Sequence, residues 1–227
     1  MGSLASSDVQ TRRLDSIRQT LLWKLAPGLR HTLMSQLQGL RWSAEATARI
    51  LQVSGDLTKA RENADVVVRE STRAMKSADF IIEWLRPRQD THVLFNAGIG
   101  LCVELASQDW FLRGIQIKVE VADNDFQVSQ RALQETVVAG LLVLTDTLKQ
   151  NADFHLTSGS DKNSMLVTLT GSAKNRNSEF AAASDDRTLT WSDLELLAQV
   201  HDVDCVRDDV GATLRFGPKT LGKRTQD

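Results

Sequence analysis

A chain of 227 residues with 41% hydrophobic and 25% charged content is long enough for one large domain or two modest ones, and excludes wholesale disorder or a fibrous architecture. No apolar run approaches the ~20 residues of a membrane helix, and the opening Met1-Gly2-Ser3-Leu4-Ala5-Ser6-Ser7 lacks the regions of a signal peptide, so a cytoplasmic protein without a membrane partner is expected. The net charge of −2 conceals +4 over residues 1–90 (14 Lys/Arg against 10 Asp/Glu) and −6 over residues 91–227 (13 against 19), and with 5% aromatics and no basic cluster no nucleic-acid partner is expected.

From residue 8 to Pro87 the apolar spacing is helical. Leu22, Leu25, Leu29, Leu33, Leu37, Leu40, Ala44, Ala48 and Leu51 step by three and four, with a kink or restart expected at Pro27-Gly28. Ser54-Gly55-Asp56 reads as a turn. A second helix carries Ala64, Val67, Val68, Ser71, Ala74, Met75, Ala78, Ile81, Ile82 and Leu85 and stops at Pro87. Two such helices bury their stripes poorly alone, so the hairpin at 8–87 is expected to pair with a second copy as a dimeric four-helix bundle.

The pattern then changes. Residues 92–111 read as a helix, 114–121 as a strand, and 127–150 as a strongly apolar helix. Strands at 154–157 and 165–170 are joined by a polar turn at 158–164, and 172–188 read as a loop. Thr190 and Asp193 form a capping box for a helix through His201, and a hairpin of 205–207 with 212–216 follows. This order predicts an α+β sandwich at 91–218, with a flexible tail at 219–227. Cys102 and Cys205 lie in apolar patterns and are expected as reduced core residues; His92, His155 and His201 show no metal-ligand spacing and are expected to be structural or surface residues.

His31 stands out. At ~100° per residue it lies roughly 155° from the centre of the apolar stripe, with Ser35, Gln38 and Trp42 on its side. An imidazole facing solvent offers a nucleophilic nitrogen able to accept a phosphoryl group from an aspartyl phosphate. The plainer alternative is an idle surface histidine. Trp42 reads either as a partner anchor or as packing against the second domain, and Met34 as packing at the edge of the stripe.

The run His31-Thr-Leu-Met-Ser-Gln-Leu-Gln-Gly-Leu resembles the phosphoacceptor box of bacterial sensor histidine kinases, and the later element order resembles their Bergerat-type ATPase domain. The departures are specific. Thr32 stands where the kinases carry an acidic residue, and Asp146 stands at the magnesium-binding asparagine. Thr170-Gly171-Ser172-Ala173 and residues 184–190 supply neither glycine box. A loop that wraps phosphates needs glycines so that N–H groups converge, and none occurs between Gly171 and Gly211.

With its histidine kept and its nucleotide cradle degenerate, the chain looks like the ChpT-type histidine phosphotransferases. That resemblance implies a homodimer relaying phosphoryl groups between response-regulator receiver domains, with His31 as phosphoacceptor and Ser35 and Thr32 flanking it. Gln38 and Trp42 then face the partner. It implies no bound nucleotide and no resident metal, the Mg²⁺ coming from the receiver. The alternative function is a non-catalytic pseudokinase scaffold that binds a response regulator or a kinase.

Overall fold

The computed structural model describes residues 2–85, 91–107, 110, 113–148, 151–161, 163–174 and 188–217. The expected tail lies outside these residues, as does most of the loop expected at 172–188. The elements are α1 (Gly2–Val53), α2 (Leu57–Leu85), β1 (His92–Leu94), α3 (Phe95–Ala106), β2 (Gln116–Glu120), β3 (Gln127–Ser129), α4 (Gln130–Leu148), β4 (Ala152–Asp161), β5 (Ser164–Ala173), α5 (Trp191–Val200), β6 (Val203–Arg207) and β7 (Gly211–Phe216). Packing divides them into two units, Met1–Leu25 with Gln89–Asp227, and Ala26–Arg88. Residues 8–25, read from sequence as the start of the hairpin, therefore group with the sandwich.

The larger unit is α+β, as its element order predicts. Its five-stranded sheet has the order β2-β4-β5-β7-β6, with β2 parallel to β4 and the other neighbours antiparallel. Alternate residues of the central strands turn into the core: Phe154 and Leu156, Met165, Val167 and Leu169, Leu214 and Phe216. Residues 132–145 of α4 are buried all round, the composition of a helix covered on every side. Gly140 lets α4 approach β5 closely, because a Cβ there would lie 2.5 Å from Leu169 Cδ1. Phe95 meets Phe216 edge-on at 6.3 Å, and Trp110 meets Phe154 at 5.3 Å.

Several local expectations are corrected. Of the kink or restart expected at Pro27, the restart does not occur, since α1 continues through it. Proline removes one N–H donor and crowds the carbonyl four residues back, but each flank extends for many turns. The helices expected from 92 and from 127 each begin as a short strand: His92↔Ser129, Val93↔Val128 and Leu94↔Gln127 pair antiparallel before α3 and α4 start. The polar turn expected at 158–164 is mostly strand, since pairing runs on to Asp161↔Ser164. Cys102 is buried, donates to the Leu133 carbonyl at 3.8 Å, and has its thiol pKa raised by burial; Cys205 is only half-buried, on an edge strand. Among the described residues no helix is long and apolar enough to cross a membrane.

The smaller unit is the helical hairpin. Gly55, with φ +64°, supplies the left-handed residue that ends α1, its N–H reaching the Ile50 carbonyl at 3.0 Å. Asp56 then caps α2, its carboxylate accepting the Lys59 N–H at 3.1 Å. Asp56→Ala is expected to cost about 1 kcal/mol, read as a small drop in melting temperature.

Candidate functional site

The exposed face of α1 assembles as the helical arithmetic predicts. His31, Ser35, Gln38 and Trp42 are separated by four, three and four residues, share one side of the helix, and are all exposed, Trp42 at 68%. Among the described residues the His31 ring makes no hydrogen bond or ion pair. Thr32, one residue on, is half-buried and turns off this strip. Met34, expected at the edge of the stripe, is exposed.

The opposite side of the hairpin is only half covered. Ala60 and Ala74 are buried, and Leu29, Leu33 and Leu40 are partly so. Leu37, Ala44 and Leu51 on α1 recur every seven residues and stay exposed. On α2 the heptad series Val68, Met75 and Ile82 does the same. The five larger side chains of these two series are between 42% and 64% exposed. Heptad spacing of apolar residues is the pattern found along the seams of helical bundles.

The larger unit carries a polar network built on α4. Glu135 and Asp146 lie three turns apart on one face of that helix, with the buried Ala139 and Leu142 between them. Glu135 accepts from Arg18 Nε at 3.1 Å, from Arg131 Nε at 2.9 Å, and sits 2.9 Å from His201 Nε2. Burial pushes its carboxyl pKa up. The bonds from His201 and Arg131, with the charges of His201 and Arg18, outweigh that and bring it down to about 2.

At the other end, Asp146 accepts from Lys24 Nζ and from the Leu189 N–H, both at 2.9 Å. Asp193 completes the set. One of its oxygens accepts the Thr190 N–H and hydroxyl at 3.1 and 2.7 Å, the acidic half of the expected capping box, and the other faces Arg13 at 3.3 Å. Of these residues, the sequence singled out only Asp146, Thr190, Asp193 and His201. The basic residues on α1 that meet them, Arg13, Arg18 and Lys24, belong to no sequence motif.

No family model and no curated protein matches this chain. Solved structures do. The chain is similar to the catalytic domain of histidine kinase ThkA (15% identity, TM-score 0.45, covering 59% of this chain and 97% of that one). It is also similar to the histidine kinase AdeS of Acinetobacter baumannii (9%, 0.43, 82% and 97%) and to histidine kinase ThkA in complex with response regulator protein TrrA (14%, 0.43, 97% and 68%).

Proposed function

We propose that this chain is a histidine phosphotransferase of a two-component phosphorelay, working as a homodimer and without ATP. The observation that carries this reading is the exposed His31 ring, with no bonding partner among the described residues, on a strip with Ser35, Gln38 and Trp42. A neutral ring nitrogen attacks the phosphorus of an aspartyl phosphate with its lone pair. The P–N bond forms as the P–O bond to the aspartyl carboxylate breaks, and the carboxylate leaves. A second receiver's aspartate then reverses the step. Positioning is this chain's contribution, and the receiver brings the Mg²⁺.

Two features support relay rather than ATP-driven phosphorylation. No glycine lies between Gly171 and Gly211 to form a phosphate cradle, and Asp146 is engaged by the chain's own Lys24. The heptad series on the hairpin supports the dimer.

The test uses a receiver domain carrying labelled aspartyl phosphate. Label is expected to move to the wild-type chain in an acid-labile, base-stable form, and His31→Ala is expected to reduce this to background. Binding without transfer, unchanged in His31→Ala, overturns the relay in favour of a scaffold.

A further inference from the structure

Residues 17, 21 and 25 of α1 point three apolar side chains, Ile17, Leu21 and Leu25, along one stripe, and all three are buried. Basic residues flank that stripe on both sides, and each meets an acid of the sandwich: Arg13 with Asp193, Arg18 with Glu135, Lys24 with Asp146. The last pair is well enclosed, its side chains 11% and 12% exposed. On α4 the buried Ala139 and Leu142 lie between the two acids, as Leu21 lies between the two bases. Apolar seam and charged ends thus match in order along both helices. Asp146, placed by resemblance at a metal-binding asparagine, holds an ammonium group and a backbone N–H instead.

We propose that the α4 face of the sandwich unit is a receptor for a basic amphipathic helix, with residues 9–25 of the same chain as its resident ligand. The recognition chemistry is a stripe of aliphatic side chains at i, i+4 and i+8 with Arg or Lys on either side, read by three carboxylates at the ends of an apolar trough. The sandwich thereby keeps a ligand-binding role, with a helix in place of a nucleotide. This stands independently of phosphoryl transfer, since no readout below involves His31.

Hydrogen exchange on the full chain tests it. In Leu21→Asp, exchange of residues 9–25 and 131–146 is expected to speed up about tenfold or more, while the β5–β7 pair keeps its protection. A labelled synthetic peptide of residues 9–25 is expected to bind that variant and restore protection to 131–146. It binds the wild-type chain at least about tenfold more weakly, because the resident segment competes. A peptide with Arg18→Glu and Lys24→Glu is expected to bind the variant at least about tenfold more weakly than the native peptide.

Unchanged exchange of 131–146 in Leu21→Asp, or peptide binding indifferent to charge, overturns the proposal. If Leu21→Asp loses protection throughout the sheet, the reciprocal pair decides. Lys24→Glu and Asp146→Lys each accelerate exchange of 9–25, and the double variant restores it; failure of the double variant to do so overturns the proposal.

Discussion

Glu135→Ala is expected to lower the unfolding free energy of the sandwich unit by about 3–5 kcal/mol, the usual cost of removing one partner from a buried ion network. The carboxylate is the shared acceptor for Arg18 and Arg131 and the partner of His201, and its side chain and that of His201 are only 10% and 11% exposed. Its loss leaves polar groups facing one another with no anion between them. Glu135→Gln keeps an acceptor oxygen and is expected to cost less.

The same network sets an acid limit. The folded carboxyl pKa is depressed from 4.5 to about 2. Its stabilising contribution is therefore complete above about pH 4.5 and lost as pH falls toward 2, a change on the order of 3 kcal/mol. Denaturant titrations at pH 7, 4 and 2.5 should show the gap between wild type and Glu135→Gln closing across that window. A gap independent of pH would show that the carboxylate's charge contributes nothing there.

The fold was legible where one physical signal dominated. The strongly apolar run 137–144 of α4 needs no tertiary information to be read as a buried helix, and the alternating β2, β5 and β7 show their sheet period directly. The Thr190–Asp193 pair marked the start of α5 because its hydrogen bonding is local in sequence. The misreadings arose where pairing is long-range. Three-residue β1 and β3 exist only because they meet each other, and their helices begin immediately afterwards, so the helical period absorbed them. Residues 158–161, the outer end of β4, are small or polar and none is buried, so their composition reads as a turn although they pair with β5 to the end.

The candidate sites divide in the same way. The strip of His31, Ser35, Gln38 and Trp42 follows from helix geometry alone. The α4 network does not, because Arg18 and Glu135 are 117 residues apart, Lys24 and Asp146 are 122 apart, and Arg13 and Asp193 are 180 apart. Charge pairs at such separations leave no periodic mark. One signal was present: at ~100° per residue, Ile17, Leu21 and Leu25 centre roughly 120° away from the stripe of residues 29–51. A helix whose apolar stripe changes side serves two different neighbours, and the change falls beside Pro27.

The second large effect concerns association. Met75→Glu with Ile82→Glu is expected to weaken self-association of the full chain by at least about a hundredfold, read by analytical ultracentrifugation. In a two-fold bundle each substitution enters the interface twice, so four charges replace four apolar groups. Burying each of those groups stabilises by roughly 1.5–3 kcal/mol. Val206→Glu, on the edge strand β6, offers the same chemistry at an exposed site outside the hairpin and is expected to leave association unchanged. Equal loss in both variants would attribute association to general surface apolarity, and a monomeric wild type would remove the bundle altogether. His31 lies roughly 155° around α1 from the centre of the apolar stripe of residues 29–51. The monomeric variant therefore keeps the ring exposed, and a receiver domain should still phosphorylate it at a rate that reports on docking to a single hairpin.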